Sequence, residues 1–355
     1  MEQDIDSLYY NAVDLLKEMI KTPSFSREEH NVAEVVAACM NRMGFEPARK
    51  GNNLWIQGRG FDPSKPTILL NSHMDTVRPV SGWTKDPFLP EAEGDALYGL
   101  GSNDAGASLV SLLHAFFILT SKKQDYNLVF LASCEEEVSG KGGAEAVIPE
   151  LPEIKFGIVG EPTRMNPAIA EKGLLVLDCT SYGRAGHAAR EEGENAIYKA
   201  MRDIEWFETY RFPETSGLLG PVKMTVSMIN AGTQHNVVPD KCDFVVDVRS
   251  NELYSNEELF NIIDGHTDCE VKPRSFRLNS SHISLENPFV QRVLMTGKEP
   301  CGSPTLSDQA FMPFPTLKMG PGDSARSHTA NEYILLGEIR EAIELYVKLL
   351  DGLRI

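Results

Sequence analysis

The chain is poor in positive charge, in paired cysteines and in long apolar runs, and each shortage excludes a class of function. Its 34 Lys and Arg stand against 51 Asp and Glu, a formal net charge of −17. That balance argues against nucleic-acid binding, which needs clustered basic residues facing phosphate. The cysteines (Cys39, Cys134, Cys179, Cys242, Cys269 and Cys301) are far apart and form no CxxC pair. This is the pattern of reduced, mostly buried thiols, and the expected location is cytoplasmic. No run approaches about 18 consecutive apolar residues, so no membrane-spanning segment is expected. Residues 1–8 are acidic and lack an apolar core, so no signal peptide is expected there. The glycines around residue 100 invite a dinucleotide reading, but GxGxxG wants Gly where Asp104 stands, and no P-loop lysine follows. What remains is an ordinary globular composition, 42% hydrophobic with 28 Gly and 21 Pro. A length of 355 residues is comfortable for two domains.

The pattern turns on Thr67-Ile68-Leu69-Leu70-Asn71-Ser72-His73-Met74-Asp75. A brief apolar run suits a strand buried on both faces of a parallel sheet, and ligands bind beyond the carboxyl ends of such strands. His73 and Asp75 are close enough for one to bind a metal while the other holds the imidazole by its second nitrogen. Before this strand the spacing predicts helices over 6–20 and 27–43 and a short strand at 54–56. After it, residues 78–99 read as a long irregular loop, a length that suits function. The loop leads to Asp104 and an apolar helix over 108–119. A second buried-strand run, 127–132, opens into Glu135-Glu136-Glu137, and a third, 156–159, runs into Gly160-Glu161-Pro162-Thr163. Any one of these could be a solvated loop carboxylate. Three strands delivering His/Asp, Glu/Glu and Glu at the same structural position point to a site.

From about residue 174 the strands alternate in polarity, as half-exposed strands do. Runs at 175–180, 223–229 and 242–249, with helices near 194–209 and 256–265, give a β-α-β-β-α grouping, a small separate domain with a face or edge able to pair with a second subunit. Helical patterning resumes near 285, a short strand follows at 315–320, and an amphipathic helix over 336–350 closes the chain. The expected fold class is therefore α/β: a catalytic domain, 1–173 and 282–355, with a mostly parallel central sheet, interrupted by an inserted α+β domain at 174–281.

Gly320-Pro321-Gly322-Asp323-Ser324-Ala325-Arg326-Ser327-His328 contains the last candidate ligand. Two histidines and three carboxylates are what two zinc ions need, one carboxylate bridging them, and a nearly neutral cluster is easier to bury than any part of it. Taken together, Ser72-His73-Met74-Asp75, the Trp83…Asp86-Pro87-Phe88…Leu97-Tyr98-Gly99 loop, Asp104, the acidic triplet followed by Val138-Ser139-Gly140, Gly160-Glu161-Pro162-Thr163 and the His328 block resemble the M20 family of co-catalytic zinc peptidases and deacylases. The resemblance implies that His73 and Glu161 hold one zinc, that the second glutamate of the pair and His328 hold the other, that Asp104 bridges and that Asp75 orients His73. Cobalt suits the same ligands. In one register Glu136 is the general base and Glu137 the ligand; in the other, Glu135 is the base and Glu136 the ligand. We take the first, because Val138-Ser139-Gly140 then falls where the family has similar residues.

The insertion resembles the family's lid and dimerisation domain. His187, in Tyr182-Gly183-Arg184-Ala185-Gly186-His187-Ala188, matches a histidine that steadies the oxyanion in a partner's active site. Asn236 and Arg249 match positions that hold the substrate carboxylate, a task suited to the planar arginine fork; a strand-end salt bridge is the plain alternative for Arg249. Ala105 after Asp104, and Cys134-Glu135 before the glutamate pair, depart from the usual pattern. The resemblance implies metal-dependent hydrolysis of an N-acyl amino acid by a cytoplasmic homodimer. Within the family the chain looks most similar to the acetylornithine deacetylase and desuccinylase branch, which implies N-acetyl- or N-succinyl-L-ornithine and arginine biosynthesis. Succinyl-diaminopimelate and di- or tripeptides are rival substrates, and an inactive amino-acid-binding scaffold is the rival of another class.

Overall fold

The computed structural model describes residues 5–355. The expectation about the first eight residues falls partly on 1–4, outside those described. The chain divides into two compact units. One comprises residues up to Ile169, Ile283–Cys301 and Ser307–Ile355; the other comprises Ala170–His282 and Gly302–Leu306. The short segment Gly302–Leu306 thus belongs to the second unit, although the domain bounds read from sequence leave it in the first.

In the first unit the buried runs become adjacent parallel strands. Asn127–Ser133, Thr67–His73 and Phe156–Val159 lie side by side in that order, all parallel, and Thr316–Lys318 adds a further parallel strand beside Phe156–Val159. Asn53–Gln57 and Ala48–Lys50 extend the other side antiparallel. Every residue of Thr67–His73 and Asn127–Ser133 is buried, as strands covered on both faces must be. The helix Ala107–Thr120 is apolar almost all round and packs against the sheet, the helix Ile5–Ile20 and the helix Leu336–Leu350. The stretch Ser102–Thr120 has the length and hydropathy of a membrane span, yet 89% of it is buried inside the protein, which makes it a core helix. The parallel register brings the ends of three neighbouring strands to one edge, and the acidic and histidine side chains beyond them converge there.

Two local expectations shift. The helix expected from residue 27 begins at His30, because Arg27 takes φ +74° and its N–H is spent on the Glu29 carboxylate at 2.6 Å. The loop expected to be irregular over 78–99 contains short strands at Glu91–Glu93 and Ala96–Tyr98. The second pairs with Tyr333–Leu335, a partner too distant in sequence to announce itself.

The second unit is a four-stranded antiparallel sheet ordered Lys223–Ala231, Lys241–Arg249, Leu175–Tyr182, Glu270–Pro273, with the helix Ala196–Thr209 packed on it. The last strand was not expected; four residues ending in Pro273 carry little strand signal. Lys223–Ala231 is an edge strand with a bulge between Val226 and Met228, and it exposes Met228 and Ile229.

Candidate metal centre

His73 closes its strand with the ring almost wholly buried, 1% exposed. Its Nδ1 lies 2.9 Å from the Asp75 main-chain carbonyl, which can only accept, so Nδ1 carries the proton and Nε2 keeps a lone pair for a cation. Asp75 orients His73 differently from the expectation, for its carboxylate stands 3.5 Å from Nδ1. Its oxygens go instead to the acidic loop: Oδ1 accepts from Glu136 N–H at 3.0 Å, and Oδ2 accepts from Glu137 N–H at 3.1 Å and from Ser26 Oγ at 2.7 Å. The third successive amide of that loop, Glu135 N–H, donates to the buried Glu29 carboxylate at 3.1 Å. Glu135 sits in the left-handed region at φ +56°, which turns its side chain away toward Arg27 and Gly142. Glu136 and Glu137 remain facing the histidines.

Asp104 lies between the two imidazoles. Its Oδ1 is 3.3 Å from His73 Nε2 and its Oδ2 is 3.7 Å from His328 Nε2. Glu161 Oε1 is 3.9 Å from His73 Nε2, and Glu137 Oε2 is 3.0 Å from His328 Nε2. Ligand atoms on a tetrahedral zinc with bonds of about 2.0–2.2 Å are separated by about 3.4 Å, so these spacings suit two ions sharing one carboxylate. The donor set is hard oxygen plus imidazole, the set zinc or cobalt takes. Glu136 Oε2 also comes within 4.0 Å of His73 Nε2, close enough to count among the possible ligands of the first site.

The electrostatics favour a cation. Burial, reinforced by the charges of Glu161, Asp308 and Glu137, holds Glu136 well above the usual carboxylate range. Burial and the neighbouring Asp104 and Glu137 push Glu161 up to about 8. Burial opposes charge on His73, but the nearby carboxylates of Asp104 at 3.3 Å and Asp75 at 3.5 Å outweigh it and hold the imidazole well above its ordinary value. The Glu137 hydrogen bond raises His328 to about 9. Carboxylates crowded beside two imidazoles suit divalent ions, whose charge would balance them.

The remaining site candidates belong to the second unit. His187 pairs with Val237 on a two-residue strand, and its Nδ1 accepts the Ala189 N–H at 3.1 Å, which leaves Nε2 to carry the proton. Asn236 is its neighbour: the Asn236 carbonyl accepts from Ala188 N–H at 3.0 Å. Arg249 stands elsewhere, at the far end of Lys241–Arg249, about 26 Å along that strand from Lys241. Asp247 grips its fork, with Nε–Oδ1 at 2.8 Å and Nη2–Oδ2 at 3.1 Å. The plain salt bridge is therefore present. Sequence reasoning missed Ser26 and Glu29; nothing in their spacing separates them from the other polar and acidic residues, and only the contacts of Ser26 and the burial of Glu29 mark them.

Comparison with known proteins agrees with this geometry. The model of peptidase family M20/M25/M40 matches residues 69–352. An acetylornithine deacetylase of Proteus mirabilis is 27% identical over 377 residues, covering 96% of both chains. Among solved structures, the aminopeptidase PepT of Bacillus cereus superposes with a TM-score of 0.76 at 19% identity, covering 97% of this chain and 98% of that one. The YxeP protein of Bacillus subtilis, described as a dinuclear metal-binding peptidase, gives a TM-score of 0.73 at 15% identity, covering 98% of this chain and all of the other (100%). With most of its length matched and its histidines and carboxylates gathered at one sheet edge, the chain belongs to peptidase family M20/M25/M40.

Proposed function

We propose that the chain hydrolyses the amide bond of an N-acyl amino acid, with N-acetyl- or N-succinyl-L-ornithine as substrate, using two divalent ions. The observation that carries the reading is Asp104, whose two oxygens face two different histidines while a half-buried carboxylate, Glu136, lies beside them. His73, Asp104 and Glu161 would hold one ion; Asp104, Glu137 and His328 the other. Bound there, the ions would polarise the amide carbonyl and make water acidic near neutral pH.

The protein's own groups supply the rest. Glu136, with its proton affinity raised by burial, takes a proton from the attacking water and delivers it to the leaving amine. Asp75 keeps Glu136 and Glu137 in place through their backbone amides, so the base cannot drift when its charge changes. His187, with its proton on Nε2, is in the form that donates to an oxyanion. Arg249 would take the substrate carboxylate by exchanging it for Asp247.

A homodimer fits the second unit. Asn236 stands beside His187, whereas Arg249 closes Lys241–Arg249, about 26 Å along that strand from Lys241, so we read the two as serving one carboxylate from different copies. The edge strand Lys223–Ala231, with Met228 and Ile229 exposed, offers a surface for a second copy. The acyl preference rests on the acetylornithine deacetylase relative. The test is a panel of N-acetylornithine, N-succinylornithine, succinyl-diaminopimelate and dipeptides assayed for amine release after zinc loading. Turnover of an acyl-ornithine above the others supports the reading. Fewer than one metal per chain after loading, with no turnover, would favour an amino-acid-binding scaffold.

A further inference from the structure

Glu332 is a carboxylate 2% exposed, four positions beyond His328, and both its oxygens face backbone amides. Its Oε1 accepts the backbone N–H groups of Asn103 at 2.8 Å and Asp104 at 2.9 Å, and its Oε2 accepts that of Gly101 at 3.1 Å. Its main-chain carbonyl accepts Gly99 N–H at 3.0 Å. The loop that carries Asp104 is thus laced to one side chain by three hydrogen bonds. The adjoining Asn103 completes the clasp: its Oδ1 accepts Asp323 N–H at 3.0 Å, and its Nδ2 donates to the Asp323 carbonyl at 3.1 Å and to Ser327 Oγ at 3.2 Å. The loops bearing Asp104 and His328 are therefore one hydrogen-bonded body.

We propose that Glu332 is a positioning residue: its buried carboxylate fixes Asp104 between His73 and His328 and thereby sets the affinity for the metal pair. The inference rests on the reading of Asp104 as the shared ligand. A shared carboxylate must satisfy two ions at once, so an error of about 0.5 Å in its placement weakens both. Three N–H donors also require an acceptor-only group with two oxygens. A glutamine of the same shape turns an NH₂ group toward at least one of them, and donor then faces donor. If fold alone were at stake, a neutral group would serve better next to Asp104, because two acids side by side repel until cations arrive.

The experiment compares the full-length wild type with Glu332→Gln. Both are stripped of metal, checked by thermal unfolding, and titrated with zinc against a chromogenic chelator; kcat and KM follow after loading. The expected result is a metal-free protein that melts with the wild type, a zinc Kd raised about 10- to 100-fold, and a fall in kcat larger than any rise in KM. A Kd within about twofold of the wild type overturns the proposal while leaving the two-ion site intact. Should Glu332→Gln not fold, Glu332→Asp carries the test: it keeps the charge but falls short of the three amides, so the same weakening is expected, and unchanged affinity is fatal. A wild type that binds less than one zinc per chain overturns the site reading itself, and this inference with it.

Discussion

Replacing Glu136 by glutamine separates its two possible roles, general base and metal ligand. The substitution conserves volume at a side chain 12% exposed, so it opens no cavity. It also leaves the backbone N–H of residue 136 on Asp75 Oδ1 at 3.0 Å, so the loop and Glu137 keep their positions. What is lost is one basic oxygen. A positioned general base contributes about two to four orders of magnitude in rate, equivalent to about 2.7–5.5 kcal/mol of barrier. Burial and the charges of Glu161, Asp308 and Glu137 all disfavour a charged Glu136, so a neutral glutamine there should leave the metal-free protein no less stable. The assay is zinc content by elemental analysis, thermal unfolding of metal-free protein, and kcat for amine release. We expect wild-type zinc content with kcat lower by about two to four orders of magnitude. Near-normal kcat would refute the base assignment. Loss of one zinc equivalent in Glu136→Gln, with retention in Glu137→Gln, would exchange the two roles.

Zinc binding at pH 7 should release protons, because Glu161 at about 8 and His328 at about 9 both hold protons there in the metal-free protein. Both values lie above the ordinary ones of 4.5 and 6.5, so each contributes stability to the metal-free fold below its ordinary value and loses it as pH rises through about 8 and 9. Zinc affinity should rise over the same window. Titration calorimetry in buffers of different ionisation enthalpy counts the protons, and a heat independent of buffer would contradict the scheme. Gly160→Ala places a Cβ 2.7 Å from Leu112 Cδ1 and 2.9 Å from Ser108 Cβ, at the strand end that carries Glu161. Overpacking of this kind costs about 1–3 kcal/mol, and we expect a lowered Tm together with weaker zinc binding; an unchanged Tm would show that the strand end yields freely. Arg249→Lys gives up the fork that now spans both oxygens of Asp247, and KM for a carboxylate substrate should rise about tenfold with kcat little altered. Steady-state kinetics decide it, and an unchanged KM would leave Arg249 as a strand-end salt bridge only.

Much of this architecture was readable along the chain. A strand covered on both faces must be apolar throughout, so Thr67–His73, Asn127–Ser133 and Phe156–Val159 declare themselves, and the polar residues just beyond each one declare the edge where a site can form. The helix Leu336–Leu350 shows its inward stripe in the same way. The ligand types, their order and the family resemblance needed nothing more than the residues themselves.

Tertiary structure alone decided the rest, because hydrogen bonds between distant residues leave no local periodicity. Asp75 reads beforehand as the support of His73, yet its carboxylate is spent on the amides of Glu136 and Glu137, 61 and 62 positions away. The Asp104 amide meets Glu332 across 228 positions. The strand Glu270–Pro273 exists only because Leu175–Tyr182 lies alongside it. Composition and apolar pattern determined which side chains arrive at the sheet edge. Which oxygen faces which nitrogen was settled by the folded loops, since only there do backbone donors and buried acids come within 3 Å of one another.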